Sequence, residues 1–449
     1  MRERLLLGIL TFVMGYACFA HGGVTPAEWG ACMIAIAGCA FALWFPWRGG
    51  GFAPPLHPIL LVALTLAPVS AAIQLLPLPV SWLQVIDPTR AELLAGLNGL
   101  GGVAGSKSHW AAISVAPPVT FAELERILTY ITMFFLAREF SWRMPARQWL
   151  LAVPVVMVGT LEAALGLAQY FGGAGRATGT WVNPNHFASM LHMAFPLAAM
   201  LAVRNVRRRA VALSCLLMTC SAAILFAAFC SLSRMGLATV LACSALLAGA
   251  GLAAKLRGGT KWLALLAPPA IIGCLLGVAP LPLWDRFSQA QGGLDITNDL
   301  RFQLWKEAGQ LAAAYPAFGS GLGTYRSAIQ QFRNSAPLGL VEFAHNDYLQ
   351  LFVEMGAVGI VPWLVSAVWI FAAPWRAALA GARARHRLLA LACGVSLAAI
   401  ALDSLVDFNF YVPANMVVAS WIAGVGSGLS FRRQIGAGPS YVRTVRRSS

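Results

Sequence analysis

The chain has 449 residues, 59% of them hydrophobic and only 11% charged, with a mean hydropathy of +0.70. Soluble domains carry about a quarter charged residues, so this composition excludes an ordinary soluble protein and predicts an all-α integral membrane protein. The net charge of +15 would point to nucleic acid in a soluble chain. Here most Lys and Arg fall in connections on one side of the predicted spans, where a basic excess marks the cytoplasmic face, and no nucleic-acid role is needed.

Apolar runs of about 20 residues, the length that crosses hydrocarbon as a helix, lie near 5–22, 28–46, 58–77, 120–137, 149–171, 186–203, 209–230, 235–254, 262–280, 349–372, 388–405 and 412–430. They predict about twelve transmembrane helices in one polytopic domain, 1–449, with both termini cytoplasmic. Arg2, Arg4, the first apolar run and Ala20 also fit a cleaved signal peptide; a retained first helix is the expectation. The nine cysteines lie in apolar runs without a Cys-x-x-Cys pair, which suits packing residues better than a disulfide framework or zinc site.

On the far side most connections are short, except 78–120 and 281–344. The second is predicted to hold an amphipathic helix that starts at a Thr297 or Asn298 cap and stops before Pro316, with Leu300, Leu304, Ala308, Leu311 and Tyr315 on one side. Gly319 to Tyr325 then forms a turn before a second short amphipathic piece, 325–333. With no strand ahead of it, this glycine pattern is not a dinucleotide fingerprint.

The stretch Glu342 to Ile360, EFAHNDYLQLFVEMGAVGI, runs from a polar cluster straight into an apolar segment of membrane length. A helix starting near Asn346 puts Asp347, Gln350 and Glu354 at i, i+3 and i+7, beside Tyr348, Leu349 and Phe352. Ionisable groups at membrane depth are costly and point to function. His345 stands at the mouth of this stripe, where an imidazole exchanges protons near neutral pH; His345 and Asn346 as a plain helix cap is the simpler reading. Arg234, between the seventh and eighth spans, and Arg301, in the loop helix, offer guanidinium groups for a lipid-linked phosphate or diphosphate at the same surface.

In GRATGTWVNPNHFASM, Asn183 and Asn185 flank Pro184, which fits a fixed turn and helix start, or substrate contact by Asn185. Glu162, Asp403 and Asp407 are further intramembrane acids that pair internally or line a cavity. The seven histidines are scattered, without Asp-x-Asp or His-x-x-x-His spacing, so neither a metal nor a cofactor is expected.

NPNHFASML, SLSRMG, and the loop pieces RFQLWKEA, YPAFGSGLGTY and AHNDYLQLFVEMGAVG resemble the O-antigen ligase and polymerase superfamily of bacterial membrane glycosyltransferases, over roughly 175–362. The resemblance implies a GT-C-like helical enzyme of the inner membrane that joins an undecaprenyl-diphosphate-linked glycan to an acceptor on the periplasmic face. It implies essential roles for Arg234, Arg301 and His345, and carries Asn185, Asn346, Asp347, Tyr348 and Glu354 as substrate-binding positions. The ligase reading, with the lipid A core as acceptor, follows from the single large late loop and the lack of an appended soluble domain. Extension of a lipid-linked glycan by a polymerase, or transfer to protein Ser or Thr, uses the same donor. A polyprenyl-lipid transporter is the alternative of another class, and would be expected to show repeats and midplane binding residues.

Overall fold

The computed structural model describes residues 2–45, 52–99, 109–253, 300–334, 340–381 and 384–429. The expected span at 262–280 and the cap at Thr297 or Asn298 lie outside the described residues. The chain opens with α1 (Arg2–Phe19), α2 (Pro26–Trp44) and α3 (Pro58–Ile73). Then come β1 (Pro77–Pro79), α4 (Val80–Ile86), α5 (Pro88–Gly99) and β2 (Trp110–Ala112), followed by α6 (Pro117–Arg143) and α7 (Val153–Gln169). Next are α8 (Pro184–Arg207), α9 (Val211–Cys230), α10 (Arg234–Ala253), α11 (Leu300–Ala314) and α12 (Tyr325–Ala328). The last four are α13 (Asp347–Gly359), α14 (Val361–Arg376), α15 (Ala384–Asp403) and α16 (Pro413–Leu429).

Proline occupies the first turn of α2, α3, α6, α7, α8 and α14, where its missing N–H costs nothing and its fixed φ suits a helix. At α2 a capping box adds a second signal, with Thr25 and Glu28 each accepting from the other's backbone N–H.

Among the described residues, five helices are long and apolar enough to cross a membrane: Pro26–Trp44, Gln148–Ala174, Pro184–Arg207, Val211–Cys230 and His386–Asp403. A bent pair brings the total to six if it counts as one span. Helices also stand at 2–19, 58–73, 117–143, 234–253 and 413–429, without meeting the same requirement of length and composition. The protein is thus a largely helical membrane protein, with five or six qualifying spans where about twelve were expected. Its interior is close-packed: Gly424 and Gly428 on α16 lie so near α6 that an added Cβ would strike the Phe134 carbonyl and Ser141, the small-residue contact by which membrane helices approach one another.

The expected span at 349–372 is not a straight helix but a sharply bent pair. α13 and the helix that continues to Leu379 meet at 117°. Gly356 adopts φ 65°, ψ 179° within α13, a conformation that only glycine takes readily. The freed backbone is satisfied by residues 316–321: Ser320 N–H donates to Val353 O, Gly321 N–H to Glu354 O, Ala357 N–H to Pro316 O and Val358 N–H to Ala317 O. A chain passing at this depth must find such partners, and this one finds them in the late loop.

Outside the bundle, β1 pairs antiparallel with β2. This ribbon, α4 and α5 enclose a small core of Leu83, Ala91 and Ile113 against Phe318. α11 packs through Ala308, Leu311 and Tyr315 against Ala344, ahead of α13, and Val353 on it; these three α11 residues belong to the apolar side predicted for the loop helix. The expected piece at 325–333 is one turn of α-helix followed by a 3-10 turn, Ile329–Phe332.

Candidate active site

Two segments converge on Asp407, in the connection between α15 and α16. The loop before α13 supplies His345, whose Nδ1 lies 3.2 Å from Asp407 Oδ1. The first turn of α8 supplies Asn185, whose Nδ2 donates to Asp407 Oδ2 at 2.8 Å. It also supplies His186, whose Nε2 stands 3.6 Å from Oδ1, an ion-pair distance when the ring is protonated. Phe408 N–H donates to Oδ1 at 3.0 Å. Burial pushes the Asp407 carboxyl up, but the donors of His186 and His345 outweigh it and hold the group well below the usual carboxylate range.

His345 is held from both sides. Ala344 N–H donates to Gln350 Oε1, and Ala344 O accepts from Trp305 Nε1. On the other side Asn346 caps α13 by accepting from Leu349 N–H. Between these anchors His345 takes φ 50°, a left-handed conformation that costs a non-glycine residue about 1–2 kcal/mol. Strain of this kind persists where neighbours over-determine it, and it gathers at functional sites. The His345 side chain is 35% exposed and that of Asp407 only 5%, so the imidazole is gripped on one edge and open on the other. The Phe408 ring stacks on Phe343 at 3.9 Å and meets His186 and His345 edge-on.

A second histidine–carboxylate pair lies deeper. His192 Nδ1 is 2.8 Å from Asp403 Oδ2, and Thr239 Oγ1 donates to Asp403 Oδ1 at 2.6 Å. These bonds tie α8, α10 and α15 together about 9 Å along α8 from His186. The start of α10, at Arg234, is therefore held to the same end of the bundle as Asp407; the Arg234 side chain lies outside the described residues. Arg301 sits in the first turn of α11, one turn before Trp305, which bonds to the residue preceding His345.

The other expected binding residues are differently placed. Asp347 is fully buried and accepts from Phe410 N–H. Tyr348 donates its hydroxyl to Ala401 O. Glu354, also fully buried, accepts from Gly323 N–H, Tyr325 N–H, Gln350 Nε2 and the Tyr411 hydroxyl. Glu162 pairs internally, with Thr180. His186, His192 and Phe408 were not singled out from the sequence; the available signal was the cost of two histidines inside an apolar run. Among the described residues no cluster of His, Cys, Asp or Glu is arranged to hold a metal ion.

A cavity of about 220 Å³ lies between α3, α6, α14, α15 and α16. Its walls are apolar, among them Leu64, Ile131 and Ile370, and Glu123 and Tyr411 add polar groups. Phe410 and Tyr411 border it, three and four residues beyond Asp407.

No curated protein matches the chain. Residues 219–364, which hold Arg234, Arg301 and His345, match the family model described as O-antigen ligase, and this match supports the resemblance to the O-antigen ligase and polymerase superfamily.

Proposed function

We propose that the protein is an O-antigen ligase, a glycosyltransferase that moves a glycan from undecaprenyl diphosphate to a sugar hydroxyl of the lipid A core at the periplasmic face of the inner membrane. The observation that carries this reading is the pairing of half-exposed His345 with buried, ionised Asp407. A carboxylate at Nδ1 requires the proton there, which leaves the Nε2 lone pair of the neutral ring for a substrate.

In this reading Nε2 takes the acceptor hydroxyl proton as that oxygen bonds to the anomeric carbon. The bond from carbon to the diphosphate oxygen breaks, and its electron pair leaves with the diphosphate. One displacement inverts the sugar. Arg234 and Arg301 grip the diphosphate and stabilise its growing charge. The donor carries the free energy of transfer, so no nucleotide is required. Asn185, Asn346, Asp347, Tyr348 and Glu354 act by holding the loop and Asp407 in place, and the apolar cavity accepts part of a lipid substrate's hydrocarbon.

The test uses purified protein and polyprenyl-diphosphate-linked glycan, with lipid A core oligosaccharide or a second lipid-linked glycan as acceptor. Transfer to the core that disappears in His345→Ala is the expected result. Elongation of the lipid-linked glycan alone would make the protein a polymerase, and transfer to neither would overturn both in favour of a protein acceptor or a transporter.

A further inference from the structure

A groove of about 760 Å³ runs between α7, α8 and α9 at the end of the bundle remote from His345. α8 fixes that separation. Asn185 stands in its first turn and Arg204 in its last, about 29 Å apart at 1.5 Å per residue, close to the hydrocarbon thickness of a bilayer, about 30 Å. The groove therefore meets the leaflet opposite the His345–Asp407 cluster.

Its walls and its mouth differ in chemistry. Val153, Met157 and Leu161 recur every four residues along α7, and all three are exposed, at 42%, 45% and 51%. At the mouth stand Arg147, Arg204 and Arg208. None of the three has a carboxylate partner among the described ion pairs, whereas nearby Arg143 is paired with Glu139 at 2.7 Å. Arg204 and Arg208 are also four residues apart on one helix, where like charges repel. The Arg204 guanidinium lies 5.2 Å from the centre of the Trp149 ring, a cation–π distance that steadies both groups at the depth where tryptophan marks the membrane interface.

We propose that this groove binds one anionic phospholipid of the leaflet opposite the active site, with its phosphate among Arg147, Arg204 and Arg208 and an acyl chain along Val153, Met157 and Leu161. Guanidinium groups that lack carboxylates select a phosphate bearing net negative charge over a zwitterionic headgroup, in which an ammonium cancels it. The volume falls within the range of small-molecule sites, about 300–1,000 Å³. Basic pockets between membrane helices are where such headgroups settle. The proposal needs no assumption about the glycosyl-transfer reaction, because it rests on the other end of α8.

The experiment titrates the full-length purified protein with phosphatidylglycerol or phosphatidylcholine of the same acyl chains, and reads bound lipid by native mass spectrometry and thermal shift. One site that binds phosphatidylglycerol at least about tenfold more tightly is expected. Arg147→Gln/Arg208→Gln, at two exposed positions, removes that preference by about tenfold or more. Val153→Trp fills the groove and weakens phosphatidylglycerol while leaving the arginines in place. Water-soluble glycerophosphoglycerol should produce little shift. Equal binding of the two lipids, unchanged binding in the arginine variant, or unchanged binding in Val153→Trp would each overturn the site.

Discussion

Replacing Asp407 by Asn changes one oxygen into an NH₂ group at a position where every close neighbour is a donor. Asn185 Nδ2 donates to one carboxylate oxygen, and His345 Nδ1 and Phe408 N–H approach the other. An amide offers only one accepting atom, so one orientation sets its NH₂ against Asn185 and the other sets it against His345 and Phe408. In the second, His345 is driven to the opposite tautomer, with the proton on Nε2 and no lone pair toward the acceptor. The general-base contribution at risk is about 10²–10⁴-fold in rate, or about 3–5 kcal/mol at 1.36 kcal/mol per factor of ten. The charge opposite a forming imidazolium disappears as well.

The assay is kcat for glycan transfer by purified protein, with KM for both substrates. The expected result is a kcat reduced at least about 10²-fold with little change in donor KM. Because Asp407 acts through His345, the double variant Asp407→Asn/His345→Ala should be no slower than His345→Ala alone. The pH profile supplies a further check. The Asp407 pKa is depressed, so its contribution to stability is present above the unfolded value near about 4 and is lost only as pH falls through the lower folded value. It therefore stays ionised through the whole working range, and no limb of the wild-type profile above pH 5 should belong to it. Wild-type kcat in Asp407→Asn, or full additivity in the double variant, would refute the dyad.

Other substitutions probe separate parts of the structure. Arg301→Lys keeps the charge but loses the planar fork; a drop of about tenfold or more in donor kcat/KM is expected, and full activity would remove the bidentate role. Gly319→Ala places a methyl group against the Glu354 carbonyl at a φ of 73° and forces apart the backbone pairing that breaks α13. A loss of about 2–4 kcal/mol is expected from clash and left-handed strain, read as a lower Tm in detergent. Burial pushes the Asp87 carboxyl up to about 6, against the pull of Arg90. The group is 5% exposed. Its unfolded value is near about 4, so the stability it contributes is full below that pH and is lost as pH rises to 6, by up to about 3 kcal/mol. Asp87→Asn should flatten the fall in Tm between pH 4 and 6, and an unchanged slope would assign that fall elsewhere.

The sequence made local features legible and left tertiary ones hidden. His345, Arg234 and Arg301 stood out because ionisable groups in or beside apolar runs are costly whatever surrounds them. The loop helix was readable from its 3.6-residue pattern and from Pro316. Asp407 was visible as an intramembrane acid, but its partners lie 62 residues away at His345 and 222 residues away at Asn185, and no local pattern encodes such a meeting. The bend at Gly356 was missed for a related reason. Gly356, Gly359 and Pro362 permit a break, but the pairing of 316–321 with 353–358 produces it. The ribbon of Pro77–Pro79 with Trp110–Ala112 is only three residues long, too short for any alternation to register.

The buried acids of this chain bear on how the site works. Asp403 ties α8 and α10 to α15, and Asp407 ties the first turn of α8 and the His345 loop to the connection after α15. Asp347 holds that connection to α13 through Phe410 N–H. Glu354 fastens α13 to the 323–325 turn and, through Tyr411, to the start of α16. Each carboxylate was costly to bury and is offset largely by donors from segments distant in sequence, so sliding one of these helices past another strands a charge. Alternating access needs polar groups whose partners change as two halves rock. Electrostatic catalysis needs the opposite, dipoles and charges fixed before the substrate arrives. The described acids meet the second requirement, which favours a preorganised transferase over a carrier.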